Sequence, residues 1–275
     1  MDGRAHGAGV ESWRAQRNAA LRREIGWLTL VGLGWLREGA NRVGSDPDNE
    51  VVLPSGQARA GTVVVSNGTA TATGDFTHAG NAARSLPLTS DTDGDATMLE
   101  LGTIRLCLIE RGGRLAIRTW DTTSSARRDF DGIDHWPVDG RWRVDARYDA
   151  TPGRTLEVPD ALGTVEEQAS PGEVVFELGS VIHRLQGLSG GESGELWLVF
   201  ADGTNGAESY GGGRFLYTGV PDADGRVSVD FNRAYNPPCV FSPFATCPLP
   251  WPENRLDVRI EAGERMWPIE DRALA

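Results

Sequence analysis

Alternation of apolar and polar residues is sharpest in RWRVDARY (141–148). There Trp142, Val144, Ala146 and Tyr148 share one face, and Arg141, Arg143, Asp145 and Arg147 share the other. EVVFEL (173–178) repeats the pattern, and both read as strands with one face in a core and one in solvent. TVVVS (62–66) and TATAT (69–73) flank Asn67-Gly68, while TIRLCLIE (103–110) and RLAIRTW (114–120) flank Gly112-Gly113, so each pair is predicted to form a tight hairpin. VIHRL (181–185), ELWLVF (195–200), RFLY (214–217), RVSVDF (226–231) and LDVRIEA (256–262) extend the strand series. Residues 26–54 alternate short apolar runs with Gly, Asn and Asp-Pro turn signals. Only ESWRAQRNAALRRE (11–24), with Ser12 as cap and Gly26 beyond its end, predicts a helix, lying across the outside of a larger body with Trp13 and Leu21 as anchors.

The expected fold is therefore all-β with one N-terminal helix, as a barrel or as two packed antiparallel sheets. A single domain over 1–275 is expected, its best sub-boundary at 136–140 (WPVDG). The 275 residues suffice for a sizeable core, and 35 Gly with 15 Pro fit a chain of many turns. A net charge of −12 disfavours nucleic acid and anionic membrane as partners, since phosphate-binding surfaces need clustered positive charge. All 27 basic residues are Arg, which excludes Schiff-base lysine chemistry and a P-loop lysine. Three cysteines are too few for a disulfide scaffold and, being odd in number, suit a reducing, cytoplasmic compartment. The apolar run WLTLVGLGWL (27–36) is ten residues long, half of the roughly 20 that a spanning helix needs. Arg22-Arg23 precede it, but the segment before them is long and Arg37-Glu38 follow without a small-residue cleavage site, so no export signal is expected.

Several familiar patterns fail on context. GLSGG (187–191) matches G-x-S-x-G but joins two strands rather than a strand and a helix. DTDGD (91–95) has its Gly at the fourth position of a would-be calcium loop and Gly102 at the twelfth, so it reads as a solvated acidic turn. Asn67-Gly68-Thr69 is a turn rather than a glycosylation site. Around Gly44 the chain superficially resembles the phosphothreonine-reading forkhead-associated fold, yet Ser45 stands where the phosphate-binding Arg belongs. Cys239 and Cys247 lack zinc spacing, and His183 reads as a core or pocket-wall histidine, so neither metal nor cofactor is expected.

Trp197–Glu264 is different, because polar, aromatic, Gly, Pro and Cys residues crowd there beyond what core building requires. Val227, Val229 and Phe231 take one face of a strand, leaving Ser228, Asp230 and Asn232 on the other. Tyr235, Asn236, Pro237, Pro238 and Cys239 follow, with the Pro pair stiffening an extended path. Gly211, Gly212 and Gly213 allow close backbone approach just before Arg214. Two readings stay open: a ligand site on a loop of fixed polar groups, or polar side chains that satisfy buried loop backbone.

DFNRAYNPPC (230–239), ATCPLPWPENRL (245–256), SYGGGRFLY (209–217) and AGE (262–264) closely resemble the bacterial and archaeal family known as domain of unknown function 1684. GWLTLVGLGWLREG (26–39), IRTWDTTSSARRDFDGIDHWPVD (117–139) and VFADGTNG (199–206) fit it too, with Arg233 where Lys is usual and Trp251 interrupting a Pro run. The resemblance lends no activity, but it adds Arg118, Asp121 and Arg128 to the candidate residues.

The first expectation is a small-molecule site. Arg118, Arg128 and Arg214 would hold an anionic group, Asp202, Asp230, Tyr210 and Tyr235 are the acid–base candidates, and Asp121, Asn232, Asn236, Cys239, Glu253 and Asn254 line it. One alternative makes Cys239 or Cys247 a nucleophile with His183 as its base, in a thiol-dependent hydrolase or transferase. Another is a non-enzymatic module in which FSPFATCPLPWP (241–252) presents Phe241, Phe244 and Trp251 to a partner or across a homodimer.

Overall fold

The structure, a computed structural model, describes residues 3–190 and 194–267. The chain divides into two compact units, Ala20–Phe130 and a unit discontinuous in sequence, Met1–Ala19 with Asp131–Ala275. Helix α1 (Gly3–Leu21) straddles the division.

Ala20–Phe130 holds two sheets. Strands β1 (Leu30–Trp35), β2 (Gly39–Gly44), β3 (Val51–Val52), β4 (Gly61–Ser66), β5 (Thr69–Gly74), β6 (Thr77–His78), β7 (Asn81–Ala82), β8 (Leu86–Leu88), β9 (Met98–Leu101), β10 (Ile104–Arg111) and β11 (Arg114–Asp121) pair in the orders β1-β11-β10-β9-β6-β7 and β3-β2-β4-β5-β8. The two hairpins expected from Asn-Gly and Gly-Gly are present, as β4–β5 and β10–β11. Asn67 and Gly68 (φ 50° and 78°) and Gly112 and Gly113 (54° and 70°) all take the positive φ that matches a two-residue turn to the twist of its strands. Val43, Val63, Phe76, Leu99, Leu106 and Ile117 centre the core of this unit. A four-residue helix, α2 (Ser125–Arg128), follows the last strand.

The discontinuous unit is built on one six-stranded sheet of β12 (Arg143–Pro159), β13 (Val165–Leu178), β14 (Val181–Ser189), β15 (Leu196–Phe200), β16 (Arg214–Tyr217) and β17 (Arg226–Asp230), in the order β16-β15-β14-β13-β12-β17 and antiparallel throughout. As the alternation predicts, Val144, Ala146, Val174, Phe176, Val227 and Val229 point into one core with Leu185, Leu198, Leu216 and Phe231.

Three local expectations are corrected. The helix runs Gly3–Leu21 rather than 11–24, because Val10 is fully buried and His6 meets Asp230, so tertiary contacts carry the Gly-rich first turns. Strand β12 does not stop at 148, since Thr151-Pro152-Gly153 forms a register shift between Ala150 and Arg154 rather than a turn. Residues 256–262 are no strand. The carbonyls of Ile260 and Ala262 accept from Arg214 and that of Val258 from the Gly203 N–H, so this backbone is satisfied outside any ladder. The stretch 187–191 lies at the end of β14, with Gly191 outside the described residues. Among the described residues no helix is long and apolar enough to cross a membrane.

Candidate functional site

Residues 6, 10, 13, 14 and 17 of α1 recur at intervals of three and four, the spacing of one helical face. That face lies along the signature segments of its own unit. At its start, His6 Nε2 stands 2.8 Å from Asp230 Oδ2. Asp230 Oδ1 accepts from the backbone N–H (3.2 Å) and the side-chain Nδ2 (2.9 Å) of Asn232. Asn232 in turn exchanges a reciprocal pair of 3.0 Å bonds with the Asp139 backbone. Asp230 thus caps the short turn Phe231–Arg233.

Two turns along, Arg14 Nη2 donates to the Trp136 carbonyl at 2.8 Å. Arg17 Nε donates to Glu264 Oε1 at 3.0 Å and its Nη2 to the Asn236 carbonyl at 2.9 Å, while the guanidinium lies 4.8 Å from the centre of the Tyr235 ring. Glu264 is fully buried and its other oxygen accepts from the Asn236 N–H at 2.7 Å. Burial pushes the Glu264 carboxyl upward against the opposing pull of Arg17. His135, bridged to Glu264 through the backbone, is held down at about 4 by burial and by the nearby charge of Arg14. Tyr235 is shifted upward by burial. Along this seam four buried polar atoms have no hydrogen-bond partner among the described residues: Arg14 Nε, Asn18 Oδ1, His135 Nε2 and Asn236 Oδ1.

Behind the seam, Arg214 and Asp202 form an ion pair whose two side chains are both inaccessible to solvent. Asp202 Oδ1 accepts from the Thr204 N–H at 2.8 Å, and Arg214 also donates to the Ile260 carbonyl at 2.9 Å and lies 5.4 Å from the Trp136 ring. The guanidinium offered by the sequence to an anionic ligand is therefore engaged internally. Gly213 permits that placement, because at φ 97° an added Cβ would stand 2.4 Å from Pro250 Cγ and 2.8 Å from the Phe200 carbonyl. Gly211 has room, so the close approach expected of all three glycines is not needed there.

The remaining candidates are dispersed. Asn254 is fully buried and locks β14 to β15, accepting from Gln186 N–H and donating to the Gln186 and Val199 carbonyls, all at 2.8–2.9 Å. Glu253 beside it is exposed. Trp251 Nε1 donates to Gln186 Oε1 at 2.8 Å, and Trp251 and Phe241 are both buried, so this aromatic loop closes the core where the sequence also allowed a displayed patch. Cys239 and Cys247 form no disulfide; Tyr210 lies near both, its phenol pushed up by burial and by the two sulfurs. His183 stacks on Phe176 across the β13–β14 pair. Arg118, Asp121 and Arg128 belong to the Ala20–Phe130 unit. There Arg118 is buried 5.8 Å from the Trp27 ring, Asp121 accepts from Thr123, and Arg128 pairs with Asp129 at 3.0 Å.

Sequence reasoning missed His6, Arg14, Arg17, Asn18 and His135. The usable signal was the Arg14/Arg17 spacing beside Trp13, but nothing local ties a helix to residues more than 200 positions away. Glu264 lies within the AGE motif but outside the candidate residues that the sequence offers.

The solution NMR structure of an uncharacterized protein from Haloarcula marismortui shares 32% identity over 51% of this chain and 79% of that one, with a TM-score of 0.42. No curated protein matches. The family described as protein of unknown function (DUF1684) matches residues 128–265, half of the chain and the whole of the seam on the β side, so the chain belongs to that family.

Proposed function

We propose that the protein binds a small anionic molecule at the seam between the Arg14–Asn18 face of α1 and the segments around His135, Asn236 and Glu264. The observation that carries this is the group of four buried polar atoms without partners among the described residues, since buried groups are ordinarily paired and unpaired ones gather where a ligand or water completes them. Arg14 and Arg17 both reach this seam, Arg17 held by the buried Glu264 and Arg14 by Glu11 at 3.0 Å, and the forked donors of two guanidiniums suit an anion such as a carboxylate or phosphate. His135, neutral at pH 7 with its titration near 4, offers a donor or acceptor without adding charge. The His6–Asp230 contact ties the start of α1 to the β side, and the Asp202–Arg214 pair braces the β side behind it.

Thermal-shift screening against small carboxylates and phosphate esters tests the reading. At least one compound should raise the melting temperature of the wild type and fail to raise that of folded Asn236→Ala or His135→Phe. A screen in which no anion stabilises the wild type, or in which every stabilising anion acts equally on both variants, overturns it.

A further inference from the structure

Cys239 and Cys247 occupy a place the anion site does not use. The Pro237-Pro238 pair turns into the short 3₁₀ segment Pro238–Val240, and Ser242 N–H bonds back to the Pro238 carbonyl at 3.1 Å, so the chain doubles back within the loop. The Cys239 N–H consequently donates to Cys247 Sγ at 3.1 Å, which brings the second sulfur onto the first cysteine. Cys239 Sγ also lies 3.5 Å from the Ala245 carbonyl. Cys247 is anchored on its far side: its carbonyl accepts from the Ala161 N–H at 2.8 Å, and Leu249 N–H donates to the Pro159 carbonyl at 2.7 Å. Both cysteines therefore sit on tied backbone, with the Cys247 sulfur against the main chain of Cys239. Cys239 is half-exposed and Cys247 is buried, an asymmetry that offers one sulfur to a solvent-borne oxidant and keeps the other as its partner.

We propose that Cys239 and Cys247 are an oxidation site, a dithiol that closes to an intramolecular disulfide when Cys239 attacks a hydroperoxide. The Cys239 thiolate displaces hydroxide from the peroxide oxygen, forming a sulfenic acid. Cys247 sulfur then attacks that sulfur and expels the bound oxygen as water, so two thiols and one hydrogen peroxide become one disulfide and two waters. The bond to Cys247 also holds the Cys239 thiol below its usual range despite opposing burial, which favours the reactive thiolate. Cys107, buried on β10 and pushed up to about 11 by that burial, is an inert internal reference.

Intact-mass spectrometry of the full chain before and after stoichiometric hydrogen peroxide is the test. The wild type should lose two hydrogen masses, peptide mapping should join Cys239 to Cys247, and dithiothreitol should restore the starting mass. Cys247→Ser should stop at a sulfenic acid on Cys239 that dimedone captures. A folded wild type that keeps both thiols while a free-thiol control is consumed overturns the proposal, as does a bond that includes Cys107 or a second chain. The wild-type readout stands even where a variant fails to fold, and its outcome is independent of anion binding at the seam.

Discussion

The energetics of single residues here turn on charges removed from water. Arg214 and Asp202 are both inaccessible, and such a pair is close to neutral against apolar residues of the same shape, whereas losing one member strands the other. Asp202→Ala is predicted to cost about 3–5 kcal/mol in denaturant unfolding; a change below roughly 1 kcal/mol would mean that Arg214 finds other partners. Asp230 accepts from Asn232 twice and meets His6, so Asp230→Asn should cost about 1–3 kcal/mol where the exposed Asp145→Asn costs almost nothing. His135 adds a pH dependence. Its folded-state titration, at about 4, lies below the ordinary 6.5, so at neutral pH neither folded nor unfolded chains carry its proton and it contributes nothing. As pH falls from about 6.5 towards 4 the unfolded chain takes up a proton that the fold refuses, and stability declines. Partial exposure of the ring limits the loss to roughly 1–2 kcal/mol. Melting curves between pH 7 and 4 should show a shallower decline for His135→Phe than for the wild type, and parallel curves would remove His135 from the account.

At the scale of elements, the hairpins were legible because their turns are a local matter: Asn67-Gly68 and Gly112-Gly113 need only left-handed backbone and alternating flanks. The face assignments of β12 and β17 were legible for the same reason, period two being visible in any window. The first turns of helix α1 are not legible because they are weak by propensity and are held by Val10 and His6. Backbone constraints in the loops were readable only as an abundance of glycine. The structure separates them: Gly68 has nothing near a would-be Cβ, while at Gly263 (φ 81°) that atom would lie 2.3 Å from the Ala234 carbonyl and 2.9 Å from that of Phe231. Gly263→Ala should therefore destabilise by about 2 kcal/mol or more, since strain at positive φ adds to a backbone clash. Gly68→Ala should cost about 1 kcal/mol, the strain alone; equal costs for the two would mean that the 263 loop shifts freely.

For the whole molecule, what could not be read was the discontinuity. Composition along the chain shows no linker, and contacts such as Arg17–Glu264, 247 residues apart, leave no local trace because each partner is an ordinary surface-type residue in its own window. The N-terminal residues belong to the same compact unit as Asp131–Ala275, and they hold Asp230, Asn236, Glu264 and the Trp136 carbonyl through His6, Arg17 and Arg14. Removing residues 1–19 would take away Arg17, the cation bonded to the buried Glu264 carboxylate, and uncover the carbonyls of Trp136 and Asn236. Burial already raises that carboxyl, so without Arg17 it would be protonated or hydrated, and either outcome loosens the turn around Gly263. Amide hydrogen exchange on the truncated chain should then speed up at 230–236 and 262–266, while the β13–β14 ladder, bonded from Gly172 to Leu178 within the sheet, stays protected. Unchanged exchange over 230–266 would show that α1 rests on the sheet without holding it, and the seam would lose its standing as an organised site.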